Sequence, residues 1–531
     1  MNCHYFPFSA VSQLNSADIA YAEKNSTLKP FYQYEPHISS FRGIIEKRKD
    51  YGVLRKVLHD VLSEQYSRLN YNRDQVSSQI DSLLRPDTFT VTTAHQPTLF
   101  TGPLYFIYKI ISVIKLSRLI KEKNEDYHIV PVFVLGGEDH DFEEMNHAHI
   151  FSKTVVWDNT EGGPVGRMST GSLKPVLSQL KDILGESESA QLVYNKLYDC
   201  YFNHKTYADA TFELIHQLFG SHGLVVINMD HPKLKRLMAD IFKEEIKDQT
   251  SYRLVKSTQE KLQSQGFKAQ AFAREVNLFF LNSGTRERIE CENGSFAFLE
   301  SGKKFTTTEI IRKIEDSPEM FSPNVILRPL YQELVLPNLA YIGGGSELSY
   351  WLERKAQFEY YGVHFPMLVR RDSCLILERP LMKKMEKFNL SLESIWKPPE
   401  EIIKEYVHMQ SAEPLSLGKQ KAEIDRIFKE IETRIRSIDP SLIQTVAAEK
   451  RNQIKSLETL EKKLIRAEKQ KHETELNQIR SWYNRIFPNG ELQERYNNFL
   501  PYFLSYGPSF FDHLMAAFNP LDMRFKVLIE D

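Results

Sequence analysis

Three short stretches gather side chains able to do chemistry. The first is Ala94-His95-Gln96-Pro97-Thr98-Leu99-Phe100-Thr101-Gly102-Pro103. It sets an imidazole and an amide directly after a β-branched run and just before a proline-led helical stretch. Open backbone N–H groups at a helix start near Thr101 or Gly102 suit a phosphate or a carboxylate. The plainer reading is that His95 and Gln96 only satisfy the turn. In the second stretch, from Glu138 to His149, eight of twelve positions are ionisable. Crowded carboxylates raise one another's pKa and a nearby imidazole lowers it again. Asp139, His140 and Asp141 could therefore supply a general base, or Asn146 and its neighbours could help orient a metal-bound nucleotide. His140 and His147 lie seven apart and would share a face of a helix, but no HExxH-type ligand spacing is present. A solvated acidic turn is the bland counterpart. The third stretch is Tyr341-Ile342-Gly343-Gly344-Gly345-Ser346-Glu347-Leu348-Ser349-Tyr350-Trp351. Its glycines let backbone approach a ligand closely, and a helix starting near Ser346 offers another anion-binding end. It is neither a P-loop nor GxGxxG. Upstream, Arg328 could clamp a carboxylate bidentately or pair internally with Glu333.

These stretches need elements to position them. Residues 88–93 (TFTVTT), 129–135 (IVPVFVL), 223–228 (GLVVIN), 338–342 and 364–369 read as strands, several continuously apolar as in sheets buried on both faces. Pro131 is a local objection, because it lacks a ladder donor. Between them, residues 104–120 form an apolar helix with one narrow polar stripe of Lys109, Ser112 and Lys115. A second helix is expected over 346–360. Strand, helix, strand in repetition predicts an α/β fold with a parallel sheet covered on both faces. Ligands bind such sheets at the carboxyl ends of the strands, where all three stretches fall. NLFFLN and SFAFLE, flanking ERIECENG, predict a β-hairpin insertion near 277–299.

After Pro398-Pro399 the composition changes. Residues 419–489 contain no Gly, and Ile424, Phe428, Ile431, Ile435 and Ile438 follow coiled-coil seam spacing. Asp439-Pro440 breaks that helix, and a second is expected over 441–486. Its seam carries Ile454, Leu457 and Leu464 but also Lys450 and Glu461, so both a self-contained hairpin and a dimerisation arm fit. The expected organisation is a core over 1–397, a helical arm over 398–488, and an aromatic-rich segment over 489–531 packing back on the core.

Composition bounds the function. The chain has 531 residues, 68 Lys and Arg against 70 Asp and Glu, and 41 % hydrophobic residues. Near-neutral charge gives no electrostatic footprint for nucleic acid. The four cysteines, Cys3, Cys200, Cys291 and Cys374, lack CxxC spacing, which fits a reducing cytoplasm better than a disulfide framework. No signal peptide or membrane-spanning run is expected.

Taken together, TAHQPTLFTGPLYFIYKIISVIKLSRL, PVFVLGGEDHDFEEMNHAHIF and LRPLYQELVLPNLAYIGGGSELSYW resemble the bacillithiol-biosynthesis cysteine-adding enzymes, or cysteine ligases. The likeness extends to FYQYEP, FPMLVRRDS and FPNGELQER, and so spans nearly the whole chain. It implies a Rossmann-like, nucleotidylyltransferase-like core with insertions, and a carboxy-terminal coiled coil associated with homodimers. The implied reaction joins the carboxyl of L-cysteine to the amino group of glucosaminyl-malate. Amide formation from a free carboxylate is uphill in water, so ATP is the expected activating partner, and the sugar amine needs a base. On this reading Asp139, His140 or Asp141 is the base, and His95 and the Gly102 helix start face the activated group. The loop of Gly343, Gly344, Gly345, Ser346 and Glu347 holds sugar or nucleotide. Gln96, Thr101, Lys109, Asn146, Arg328 and Trp351 complete the expected substrate-binding set; no metal ligand is assigned. The chain departs from the wider nucleotidyl-transferring pattern at Thr98, where a second histidine is usual, and at GGGSELS, where a KMSKS-like lysine is usual. Another ATP-dependent amide ligase, a nucleotidylyltransferase, and a non-enzymatic coiled-coil assembly protein are the alternatives.

Overall fold

The computed structural model describes residues 1–69, 74–292 and 294–530. Met1–Leu375 with Gln493–Leu528 forms one unit, and Ile376–Leu492 with Ile529–Asp531 forms the other.

The first unit is built on five strands: β1 (Thr88–His95), β2 (His128–Leu135), β3 (Val225–Asn228), β4 (Asn338–Gly343) and β5 (Met367–Arg370). All neighbouring pairs run parallel, in the order β5-β4-β1-β2-β3. Both faces are covered, which is why β1, β2 and β4 are buried along nearly their whole length. Pro131 is accommodated because β2 pairs with β3 only from Val132 onward, so the proline precedes the part of the strand bonded on both sides. Chain order runs outward one way through β1, β2 and β3, and the other way through β4 and β5. The reversal lies between β1 and β4, and it leaves a crevice beyond their carboxyl ends.

Helix α1 (Tyr105–Lys123) links β1 to β2 and is buried on most sides. Its polar stripe is not solvated. Lys109 Nζ donates to the Ala94 carbonyl at 2.9 Å, and Ser112 Oγ donates to Asp372 at 3.0 Å. The expected cap at Thr101 or Gly102 is not there: α1 begins at Tyr105 after Leu104, without a side-chain cap. Phe100, Thr101 and Gly102 instead take three consecutive positive φ angles, a conformation that costs a β-branched residue such as Thr101 on the order of 1–3 kcal/mol. The returning segment over-determines this turn. Asn498 Nδ2 donates to the Phe100 and Gly102 carbonyls at 2.9 and 2.6 Å, and the Leu104 N–H donates to the Asn497 carbonyl at 2.7 Å.

The insertion between β3 and β4 is larger than the expected hairpin. Five antiparallel strands stand in the order Lys304–Thr306, Ser295–Phe298, Thr285–Glu292, Leu278–Asn282, Phe321–Pro323. Ser283-Gly284 makes a two-residue turn between Asn282 and Thr285, and Gly284 has the positive φ such turns need. Phe280 stacks on Phe298 at 4.4 Å and meets Phe321 edge-on at 5.5 Å, recruiting the last strand from across the intervening helix. The expected helix over 346–360 divides into α2 (Gly345–Leu352) and Lys355–Tyr361. The break falls at Glu353 and Arg354, both buried, where Glu353 accepts from the Gln270 N–H and the Gln259 amide.

In the second unit, α3 (Gly418–Arg436) and α4 (Ile443–Lys471) pack against each other as a hairpin, with Asp439 accepting from the Ser441 N–H at the turn. The polar seam residues serve as cross-links: Lys450 pairs with Asp425, and Glu461 with Lys421. The second helix stops at His472 rather than running on to 486. In the following α5 (Glu473–Ile486), Leu476, Ile479, Trp482 and Ile486 are buried, whereas neither α3 nor α4 buries any residue. Among the described residues no helix is long and apolar enough to cross a membrane.

Candidate active site

A cavity of about 580 Å³ opens in the first unit at the carboxyl ends of the strands, in the crevice between β1 and β4. Residues from all three chemically suggestive stretches line it: His95 and Gln96; Gly137, Glu138 and Asp139; and Gly344 to Glu347.

His95 ends β1 and is half-buried. Its Nδ1 lies 2.9 Å from the Gln96 carbonyl and its Nε2 lies 3.2 Å from the Tyr105 hydroxyl. A carbonyl only accepts, so Nδ1 carries the proton and Nε2 keeps its lone pair. Burial, reinforced by the Lys109 charge, pulls the imidazole down to about 3, and the ring is neutral.

Lys109 and Glu347 form the cavity's most rigid pair. The ammonium of Lys109, 2 % exposed, lies 2.7 Å from Glu347 Oε2. Glu347 also accepts from the Gly344 N–H at 2.8 Å and from the Tyr341 hydroxyl at 3.2 Å. Burial would raise its carboxyl, but Lys109 and that N–H outweigh burial and hold it below the usual range. Burial lowers Lys109 in turn, against the pull of Glu347. Glu347 thus turns the glycine loop's first N–H inward and fixes the start of α2.

Asp139 is the only one of the three proposed base residues that lines the cavity. Its Oδ2 accepts from the Gln96 amide at 3.0 Å, and its Oδ1 from the His140 and Asp141 N–H groups at 2.7 and 3.3 Å. Burial pushes its carboxyl up, but His140, Arg286 and Gln96 together hold it well below the usual carboxylate range. It is a fixed negative charge rather than a proton acceptor. His140 turns aside to face Phe279 and accepts at Nδ1 from Arg286 at 2.9 Å. Asp141 is exposed ahead of a four-residue helix, Phe142–Met145. His147 and Asn146 lie beyond that helix, so His140 and His147 share no helical face. Among the described residues, no group of three or more His, Cys, Asp or Glu side chains is placed to hold a metal ion.

The other expected residues divide. Arg328 faces the cavity and donates to the Tyr350 hydroxyl at 3.1 Å and to Gln332 at 3.4 Å. It makes no pair with Glu333, which accepts from Gln332 and Asn338 at 2.8 Å and is pushed up to about 7 by burial. Trp351 is buried against the Tyr341 ring, 4.3 Å away. Thr101, Gly102, Asn146, Gly343 and Trp351 do not line the cavity and act behind it.

Several lining residues other than Arg328 escaped the sequence reading. Arg274, Arg286, Arg288, Arg328, Arg371 and Arg495 join Lys109 against only four lining carboxylates, Glu138, Asp139, Asp230 and Glu347. Two of those carboxylates are engaged by cations outside the lining: Glu138 pairs with Lys235, and Asp230 takes a bidentate grip from Arg167 at 2.6 and 2.8 Å. The surplus is cationic and suits a polyanionic reactant. Arg286 and Arg288 stand two apart on one strand and project to the same side, where Arg286 stacks 4.1 Å over Phe279. That alternation was readable. Arg371 and Arg495 sit in FPMLVRRDS and FPNGELQER, segments whose likeness to other proteins was visible although their role was not.

Comparison with known proteins agrees with the fold of a Rossmann-like part followed by a coiled-coil part. A family model described as the N-terminal Rossmann-like domain of bacillithiol biosynthesis BshC matches residues 1–372, and one for its C-terminal coiled-coil domain matches residues 374–530. A protein of Flavobacterium johnsoniae is 38 % identical over 96 % of both chains. One of Christiangramia forsetii is 36 % identical over 99 % of this chain and 98 % of its own. One of Bacillus cereus is 29 % identical over 93 % and 94 %. All three carry the name "Putative cysteine ligase BshC".

Proposed function

The chain belongs to the bacillithiol-biosynthesis BshC family, and from that premise we propose that it is a ligase joining the carboxyl of L-cysteine to the amino group of glucosaminyl-malate, with ATP as the activating substrate. The observation that carries this reading is the convergence of three separate loops on one cation-rich cavity at the reversal of strand order.

The chemistry has two steps. A carboxylate oxygen of cysteine bonds to a phosphorus of ATP, and that phosphorus loses its bond to the departing group, pyrophosphate when the α-phosphorus is attacked or ADP when the γ-phosphorus is. The sugar amine then bonds to the acyl carbon, and the phosphate-bearing group leaves with the electron pair. The cation surplus stabilises charge on the transferring oxygens, where fixed donors in a partly desolvated site act most strongly. Asp139, ionised throughout, accepts a hydrogen bond from the incoming sugar amine, which enters as the free base, and so orients it. His95 is neutral, and its Nε2 lone pair takes the proton that the amine sheds on attack. An anion entering beside Lys109 offsets the lesser of the two influences that depress His95, burial being the greater.

The test incubates the full chain with L-cysteine, glucosaminyl-malate, ATP and magnesium, and measures amide product and nucleotide product together by mass spectrometry. Amide formed in step with AMP or ADP supports the reading. Absence of amide removes it, and amide formed without nucleotide removes the activation step alone.

A homodimer through the helical hairpin is part of the proposal. Ile427, Ile431, Leu460 and Leu464 are exposed on two helices that bury nothing. Light scattering should give twice the chain mass, and Ile431→Lys with Leu464→Lys should halve it.

A further inference from the structure

Arg495 stands apart from the other arginines that the central sheet and its flanking helices bring to the cavity. Every other lining arginine of the central sheet and its flanking helices has partners: Arg328 has Tyr350 and Gln332, and Arg371 has Glu494 at 2.7 Å, the Asp372 carbonyl at 2.9 Å and Ser373 at 3.1 Å. Arg495 makes no hydrogen bond or ion pair with the described residues, and its Nε is buried without a partner. A guanidinium offers five N–H donors, and leaving them idle while partly desolvated is costly unless something else occupies them. Its neighbour Glu494 is buried and locked, accepting from Arg371, Ser373 and the Cys374 N–H. That anchor fixes where residue 495 enters the cavity.

Arg371 has an open donor as well. Nη1 serves the Asp372 carbonyl and Ser373, and Nη2 serves Glu494, while Nε is buried and unpartnered. A Cβ on Gly344 would stand 3.5 Å from this Nε, so the open donor lies beside the glycine loop at the switch point. Both guanidinium groups act on Tyr105, whose hydroxyl meets His95 Nε2; the Arg371 guanidinium lies 5.4 Å from the centre of the Tyr105 ring. Two unsatisfied cationic donors therefore border the position where His95 would meet the reacting amine.

We propose that Arg495 and the Nε–H of Arg371 together grip the phosphoryl oxygens of the activated carboxyl, making Arg495 a catalytic residue delivered to the site by the segment that follows the helical arm. This rests on the ATP-dependent reading above. The grip holds the phosphate-bearing leaving group through both steps: while its phosphorus accepts the carboxylate oxygen, and while its carbon–oxygen bond breaks under attack by the amine. Malate carboxylates are a weaker match, because they carry full charge before the reaction begins and gain none in it.

The full chain is assayed as wild type, Arg495→Ala and Arg495→Lys, with L-cysteine, glucosaminyl-malate and ATP. Arg495→Ala breaks no hydrogen bond or ion pair among the described residues and should fold, as circular dichroism checks. Its kcat should fall on the order of a hundredfold or more, with KM for cysteine changed less than about threefold. Added guanidinium chloride should restore at least about tenfold of that loss, and sodium chloride of equal ionic strength should not. Inorganic pyrophosphate, titrated calorimetrically, should bind Arg495→Ala about tenfold more weakly than wild type. Should Arg495→Ala not fold, Arg495→Lys is read in its place: a kcat loss of about tenfold or more supports the fork, and an unchanged kcat overturns it. Wild type consuming nucleotide while Arg495→Ala keeps its turnover within about threefold overturns the clamp and leaves the ligase reading standing. Wild type forming amide without nucleotide overturns both the activation step and the clamp.

Discussion

Replacing Lys109 by Met tests the scaffold of the cavity. The ammonium is 2 % exposed and holds two partners, the Ala94 carbonyl at 2.9 Å and Glu347 at 2.7 Å. Without it, Glu347 keeps the Gly344 N–H and the Tyr341 hydroxyl as hydrogen-bond partners and loses its ion-pair partner, with the Arg328 and Arg371 charges acting on it only from farther off. Breaking a buried pair from one side costs about 3–5 kcal/mol, and because the Glu347 side chain retains 22 % exposure, Lys109→Met should fall near the lower bound, about 3 kcal/mol. Glu347→Gln leaves the better-buried partner unpaired and should cost about the same or slightly more. The double variant has no orphaned charge, so the losses should not add, and a coupling of about 2 kcal/mol is expected. Urea unfolding of the full chain followed by circular dichroism supplies the four free energies. Additivity within about 0.5 kcal/mol would refute the reasoning, since it would mean the two charges do not depend on each other.

Three other outcomes follow from the same geometry. His364 is buried between Tyr34 and Tyr51 with neither ring nitrogen partnered, and burial, then Arg48 and Lys47, lowers it to about 3. The unfolded chain takes up a proton there below about 6.5 and the folded chain does not, so stability is lost as pH falls through that window; His364→Phe should remove about 2 kcal/mol of the loss between pH 7.5 and 5, measured by urea midpoints. Gly345→Ala would place a Cβ 2.0 Å from the Asp18 carboxyl, which Arg370 grips at 3.0 and 2.9 Å, and should cost about 1–3 kcal/mol, whereas Gly344→Ala meets nothing nearer than 3.5 Å and should be milder in thermal melts. Asp139→Asn should lower kcat/KM for the amino sugar by about tenfold or more while Asp141→Asn stays within about threefold; the reverse order in a steady-state assay would exchange their roles.

Much of the fold was readable because the signals were local. The apolar runs ending at Leu135, Asn228 and Ile342, each followed by turn residues, gave strands, and their alternation with helices gave a parallel sheet. The cavity's position followed, since strand ends are where such sheets bind. What was not readable depended on contacts between distant segments. Thr101 and Gly102 looked like a helix cap; Asn498, almost four hundred residues later, pins them instead into a strained turn. Arg328 and Glu333 looked like partners by spacing, but Tyr350 and Asn338 claim them separately. The acidic run after Gly137 offered three base candidates of equal standing, and only the backbone turn distinguishes Asp139, aimed inward, from Asp141, aimed at solvent. Arg371 and Arg495 are ordinary surface residue types until Glu494 joins their segments.

The most direct measurement is a crystal structure of the full chain soaked with glucosaminyl-malate. The sugar amine is predicted to lie between His95 Nε2 and the Asp139 carboxylate, within hydrogen-bond reach of at least one of them. Ligand density absent from the crevice between β1 and β4, but present elsewhere on the chain, would contradict the assignment of this cavity as the place of reaction.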